Sequence, residues 1–241
     1  LPTVTASNDT SICIGSSLSI SANGASTYSW DNGLGAGMSQ TISPIVTTKY
    51  IVIGTDTNGC TNTDSVTVTV NGLPTVVSSN DTSICLGASA LITATGASTY
   101  NWDQGLGAGS SKTVSPATST SYIVTGTDGN GCINTDTVTI TINSLPTLTA
   151  SNDTTMCIGS SASLSATGAS TYSWNQGLGA GDTKVVSPLV STAYTVTGTD
   201  GNGCIGTDSV TVTINALPTV TASNDTSICI GSSLSISANG A

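Results

Sequence analysis

The 241-residue chain has no histidine, arginine, glutamate or phenylalanine, and only three lysines. Each absence removes a class of chemistry. Without histidine there is no imidazole base and no imidazole metal ligand. Without arginine there is no planar fork to clamp phosphate or carboxylate. Lys49, Lys112 and Lys184 stand alone and make no basic footprint, so no nucleic-acid partner is expected. All thirteen acidic residues are aspartates, and the net charge of −10 is repelled by anionic lipid. No apolar run approaches the roughly 18 residues that span a bilayer, so no membrane insertion is expected. No leader is visible either, and the chain reads as a mature or internal segment. With so poor an inventory no enzymatic activity and no cofactor are expected.

What is present is hydroxyl-rich. Serine and threonine make up about a third of the chain, with valine, isoleucine, glycine and asparagine. That is a strand and turn composition. A chain with 7% charged residues and this much serine and threonine could be disordered. Its apolar residues, 37% of the total and set at period two, argue for a packed fold instead.

Leu-Pro-Thr recurs at Leu1, Leu73, Leu145 and Leu217, a spacing of 72 with no insertion or deletion. Such a strict period marks a repeat array. Complete units are expected at 1–72, 73–144 and 145–216, with a partial unit (strands A and B) at 217–241. The last segment repeats residues 1–25 letter for letter, which points to a higher cycle of three units; recent duplication without a cycle is the alternative. Ala241 falls in mid-unit, so the chain reads as a window on a longer protein.

Alternation and turn residues divide the first unit. Thr3–Ser7 reads as strand A. Leu18, Ile20 and Ala22 alternate with serines in strand B. Tyr28 and Trp30 share one face of strand C, and Ser39–Ser43 is a short strand stopped by Pro44. Tyr50–Gly54 is a nearly continuous apolar strand F, and Val66, Val68 and Val70 mark strand G. Asn58-Gly59 is a hairpin signal, since both residues accept positive φ. About seven short strands per unit predict an all-β, tandem array of small Ig-like or PKD-like antiparallel β-sandwiches. Trp30, Trp102 and Trp174 would anchor the cores, with Tyr50, Tyr122 and Tyr194 at the entry to strand F. An aromatic stripe is also how a sugar-binding platform is built. Carbohydrate-binding accessory repeats of a secreted enzyme are therefore the alternative function.

The runs Cys-Ile-Gly, Ala-Ser-Thr-Tyr-Ser-Trp, Tyr-Ile-Val, Gly-Thr-Asp-Thr-Asn-Gly-Cys and Asp-Ser-Val-Thr-Val-Thr-Val span the unit. Together they resemble the PKD/Ig-like repeats of giant Bacteroidota surface proteins. The resemblance covers the whole chain. The Trp-Asp-Phe-Gly-Asp-Gly run of typical PKD domains is here Trp30-Asp31-Asn32-Gly33-Leu34-Gly35, which favours the label Ig-like. The resemblance implies extracellular adhesins, gliding-motility adhesins or surface fibres, often exported by type IX secretion. It also implies O-glycosylation at Asp-Ser/Thr-apolar sites, here Ser65, Thr137, Thr154 and Ser209.

Each unit carries two cysteines: Cys13 and Cys60, Cys85 and Cys132, Cys157 and Cys204. Cys229 follows in the last segment. A thin core benefits from covalent staples, and regular cysteine use reads as disulfides in an oxidising compartment. No Cys-x-x-Cys or histidine supports zinc. Pairing within a unit would join Cys13 to Cys60. Strand polarity opposes this, because the A–B and F–G turns of a sandwich lie at opposite ends, roughly 20 Å apart. A disulfide needs Cα atoms within about 7 Å. Head-to-tail stacking would instead pair Cys13 with Cys132 and Cys85 with Cys204. Cys60, Cys157 and Cys229 would then take partners in units outside the chain. Pairing within units and links between chains stay open at this point.

Other motifs read as structure. Asp56-Thr57-Asn58-Gly59 resembles the start of a calcium loop without its later glutamate, so a turn is favoured and weak calcium binding is left open. Asn8-Asp9-Thr10, repeated at Asn80, Asn152 and Asn224, is a glycosylation sequon but also an Asx turn, and the turn is favoured. The Gly-Leu-Gly-Ala-Gly runs lack the lysine of a phosphate loop, and read as connections or as contacts between domains or fibres. A lysine–asparagine isopeptide bond fails because Gln40 takes the place of Lys112 and Lys184. The expected role is a structural segment of a long extracellular fibre or adhesin stalk. Its expected partners are neighbouring repeats, other copies in the fibre, and a surface ligand held elsewhere.

Overall fold

Alternation governs the strands. In Leu18–Asn23, Ile20 and Ala22 turn inward and are wholly buried while Ser19 stays exposed. In Thr61–Asn71, Val66 and Val68 are buried and Thr69 is exposed. The apolar run of strand F is one-sided: Tyr50 and Val52 enter the core, but Ile51 and Ile53 face outward, 40% and 45% exposed. The run is a strand as expected, apolar on both faces but buried on one, as follows from the two-residue period of a pleated chain.

The computed structural model describes residues 1–240, which contain strands and turns and no helix. The first repeat has eight strands: β1 (Thr5–Ala6), β2 (Thr10–Cys13), β3 (Leu18–Asn23), β4 (Thr27–Trp30), β5 (Gly35–Ala36), β6 (Ser39–Ile42), β7 (Thr48–Thr55) and β8 (Thr61–Asn71). They form two sheets, β1-β3-β6 and β2-β8-β7-β4-β5. The second repeat has β9 (Val77–Ser78), β10 (Thr82–Cys85), β11 (Ala90–Thr95), β12 (Thr99–Trp102), β13 (Gly107–Ala108), β14 (Ser111–Val114), β15 (Thr120–Thr127) and β16 (Ile133–Asn143). The third has β17 (Thr149–Ala150), β18 (Thr154–Cys157), β19 (Ala162–Thr167), β20 (Thr171–Trp174), β21 (Gly179–Ala180), β22 (Thr183–Val186), β23 (Thr192–Thr199) and β24 (Ile205–Asn215). Both reproduce the sheet order of the first. Each repeat is an Ig-like sandwich.

Two strands per repeat escape the alternation pattern. β2 is only Thr-Ser-Ile-Cys and owes its strand state to a distant partner: it runs parallel to β8, with Thr10 opposite Val68 and Cys13 opposite Asn71. β5 is two residues of the Gly-Leu-Gly-Ala-Gly run, folded back on Ser29 and Trp30. Asn32 there adopts φ 52° and Gly33 φ 76°, so the turn needs residues that tolerate the left-handed region. The F–G connection also differs from a two-residue hairpin. Only Gly59 has positive φ, and Asp56–Cys60 form a longer loop.

Each sandwich has its own core. In the first, Trp30, Tyr50, Ile20, Val52, Val66 and Val68 pack between the sheets. Gly54 is required by packing, since a Cβ there would fall 2.5 Å from Val4 Cγ2 and 2.7 Å from Ala25 Cβ. Tyr28 belongs to the same core and is locked by its hydroxyl, which accepts from Ala25 N (2.8 Å) and donates to Ala25 O (2.9 Å). Trp30 Nε1 donates to Gly37 O at 3.0 Å, which satisfies the one polar atom of the buried indole.

By compactness the chain divides into two units. Leu1–Ile142 holds the first two sandwiches, and Asn143–Ala241 holds the third and the terminal segment. In that segment β25 (Thr221–Ala222) pairs with β26 (Ala238–Asn239) in the register of β1 on β3. Its residues are exposed, and Ile236, at the position of Ile20, is 80% accessible. Ala241, the end of the expected fourth segment, lies outside the described residues.

Candidate functional site

The candidate site is the junction of the first two sandwiches, where Cys13 and Cys132 form a disulfide with Cα atoms 5.5 Å apart. Two different local structures present the two sulfurs. Cys13 ends β2. Its strand is held to the last residues of β8, and Ile14 N donates to Asn71 O at 2.8 Å. The chain then turns, with Ser16 N on Cys13 O at 3.0 Å and Gly15 at φ 86°. Cys13 is thus fixed beside the C-terminal end of its own repeat, where the second repeat begins.

Cys132 ends the F–G loop of the second repeat. Asp128 organises that loop: its Oδ1 accepts from Asn130 N (2.8 Å) and Cys132 N (2.9 Å), and its own N–H donates to Cys132 O (3.0 Å). Gly131, at φ 81°, closes the turn by donating to Asp128 O at 3.2 Å. Cys132 is wholly buried, whereas Cys60, at the same position in the first repeat, is exposed and unpaired. Around Cys60 the turn is nonetheless complete, with Asp56 Oδ1 accepting from Asn58 N and Cys60 N at 2.8 and 2.9 Å. The Asp-x-Asn-Gly-Cys loop therefore holds its cysteine in place with or without a partner. It is a turn in which one oxygen of the aspartate, Oδ1, takes two backbone donors. Among the described residues no three cysteine or aspartate side chains cluster as a metal site.

Pairing within a repeat is excluded by the same geometry. Cys13 lies beside Asn71, at one end of β8, and Cys60 precedes Thr61, at the other. At roughly 3.3 Å per residue these points are about 35 Å apart, against the ~7 Å limit for a disulfide. The separation exceeds the sequence expectation because the unanticipated strand β2 carries Cys13 along β8. Cys85 and Cys204 are both disulfide-bonded, and Cys204 is wholly buried. Cys157 and Cys229 are exposed and unpaired.

The remaining sequence candidates are structural in position. Trp30, Trp102, Trp174, Tyr50, Tyr122 and Tyr194 are all buried. Tyr28 is buried too, and Tyr100 and Tyr172 are half-buried, so no aromatic side chain forms an exposed platform. Burial, and then the Asp103 charge, push the Tyr122 phenol above its ordinary value. Ser65, Thr137 and Ser209 lie at equivalent places in β8, β16 and β24, opposite Ile51, Ile123 and Thr195. Thr154 lies elsewhere, at the start of β18. Asp9 is not a local Asx cap. Its Oδ1 accepts from Thr67 N at 2.8 Å, tying the crossover between the sheets to β8, and Asp81 and Asp153 do the same with Thr139 and Thr211. Lys112 and Lys184 each donate to the carbonyl four residues back at 2.7 Å, a role Gln40 fills at 3.0 Å.

One set of cross-sheet bonds gave no sequence signal. Asp64 in β8 reaches the other sheet, where its Oδ2 accepts from Ala6 N at 2.8 Å and its Oδ1 from Ser65 N at 2.8 Å. Asp136 and Asp208 repeat the bridge to Ser78 and Ala150. These backbone donors, the cross-sheet one foremost, hold all three carboxyls below the usual carboxylate range. A lone aspartate on a strand does not announce a partner 58 residues away.

No protein-family model matches the sequence, and no curated protein matches it. Among solved structures, the chain is similar to a three-Ig segment of titin (domains I67–I69, an E-to-A variant). The identity is 10%, covering 90% of this chain and 98% of that one, with a TM-score of 0.43. It is also similar to a Ca2+-stabilised adhesin with which an Antarctic bacterium binds ice, at 15% identity over 92% of this chain and 76% of that one, TM-score 0.39. The N-terminal eight Ig domains of Down syndrome cell adhesion molecule match at 13% identity over 89% of this chain and 36% of that one, TM-score 0.35. The Ig-like assignment is carried by the sheet order within each repeat.

Proposed function

We propose that the chain is a structural segment of a long extracellular fibre or adhesin stalk, at a cell surface, in which disulfides lock one 72-residue repeat to the next. The observation that carries this reading is the Cys13–Cys132 bond, which joins the end of one sandwich to the F–G loop of its successor. Such a bond restrains hinging between domains, which a spacer needs and a flexible linker does not. Cys85 and Cys204 occupy the unit positions of Cys13 and Cys132, and we assign them to each other as the next bond in the series. Cys60, Cys157 and Cys229 continue the series with cysteines of further repeats.

Disulfides of this kind persist outside the reducing cytosol, which supports an extracellular location. The resemblance to Bacteroidota surface repeats supports export by type IX secretion, a link to adhesion or gliding, and glycans on Ser65, Thr137, Thr154 and Ser209. Shaving intact cells with proteinase K, followed by non-reducing peptide mapping, tests the proposal. Release of peptides joined through Cys13–Cys132 and Cys85–Cys204 is expected, with hexose-containing mass on the four hydroxyl residues. Full protection of the protein in intact cells refutes the surface role.

A further inference from the structure

We infer that the Cys13–Cys132 bond takes all but the outer strands of the two leading sandwiches out of the line of tension, so that the stalk is a covalent tether of limited extension rather than a string of unfoldable beads. The inference rests on the stalk reading above. Tension applied along a polypeptide follows its covalent bonds by the shortest route. In this chain it enters at Leu1, runs to Cys13, crosses the sulfur bridge and resumes at Cys132. The 119-residue separation of the two cysteines measures what is bypassed.

The bypassed loop holds most of what builds the first two cores. Strands β3 to β15 lie within it, as do Trp30 and Trp102. The loaded segments are only β1 and β2 on one side and β16 onward on the other. Both loaded segments are bonded into the sheets they serve. β2 is paired to β8 along its length, and β16 to β15 over eight residue pairs. Stretching can strip these strands away, yet it cannot draw out the chain between the cysteines. A sandwich that loses its loaded strands under a transient pull keeps the rest of its core in one place, ready to take them back. In an unbridged array, by contrast, every domain stands in series and each unfolding event adds its whole length.

The full chain, held by its termini in an optical trap, provides the test, with Cys60, Cys157 and Cys229 alkylated beforehand to prevent links between molecules. A Cys85→Ser/Cys204→Ser chain isolates the bond in question. At forces that unfold every strand, reduction should lengthen this variant by the 119 bypassed residues, about 400 Å at roughly 3.5 Å per residue. The parent chain should gain at least as much. Cys13→Ala/Cys132→Ala, within the same background, should reach the reduced length without reductant. Equal lengths before and after reduction would overturn the inference, because the sandwiches would then lie in series with the load. That failure is distinct from failure of the stalk reading: a cytosolic location would refute the stalk while leaving the length difference intact.

Discussion

Replacing Cys13 and Cys132 together by alanine removes the bridge without leaving an unpaired thiol, and the cost can be worked from the loop it closes. For the 119-residue separation, the chain-entropy relation gives about 5 kcal/mol with both sandwiches unfolded. If the first sandwich unfolds alone, the second still holds Cys132 near the repeat boundary, and the freed loop is about 60 residues, worth about 4 kcal/mol. The first repeat has no other disulfide, since Cys60 is unpaired, and its core has one tryptophan and no phenylalanine. About 4 kcal/mol is therefore a large share of what a domain of this size can possess. At about 4–8 °C per kcal/mol, its melting point should fall by roughly 15–30 °C. Trp30 fluorescence reads this repeat when Trp102 and Trp174 are changed to phenylalanine in both parent and variant. A fall under about 5 °C would refute the reasoning. It would mean that the bridge constrains the folded array without stabilising the sandwich it leaves from.

Acid should weaken all three sandwiches. Backbone donors hold the Asp64, Asp136 and Asp208 carboxyls below the usual carboxylate range in the folded chain. Their contribution is present above the unfolded pKa and is lost as pH falls through the lowered folded one. Urea midpoints should be flat above about pH 5 and fall below about pH 4, and Asp64→Asn should flatten that fall for the first repeat. Gly126→Ala places a Cβ 2.5 Å from Val76 Cγ2 and 2.8 Å from Ala97 Cβ, and should destabilise the second repeat by about 1–3 kcal/mol in denaturant titration. Tyr28→Phe strands the Ala25 N–H and carbonyl, and should cost about 1–3 kcal/mol in the first repeat by the same measurement. Asp128→Ala removes the acceptor for Cys132 N and Asn130 N, so the Cys13–Cys132 bond should re-form more slowly after reduction, as read by quenched alkylation.

How much of this was legible depended on the range of the interaction responsible. Strands β3, β7 and β8 show in the sequence because a two-residue period is a local signal, and Ile20, Val52 and Val66 fall on the buried side it marks. Strand β2 does not show, because Thr-Ser-Ile-Cys has no intrinsic claim to be a strand. Its state is imposed by β8, 58 residues further on. The same holds for Asp9 and Asp64, whose partners sit at that separation, so the sequence shows Asp9 only as part of a turn and Asp64 only as part of an Asp-Ser-Val run. The cystine lies between these cases. Spacing alone could not choose between a partner within the repeat and one in the next, and the polarity of the sandwich tilted the choice only by excluding the near partner. Strand β2 makes that exclusion decisive. By running parallel to β8 it delivers Cys13 to the far end of its repeat, while the Asp128 loop faces back from the repeat that follows. The junction thus arises from two features that are each formed inside a single repeat. A chain that repeats both every 72 residues has the parts of such a junction in every repeat.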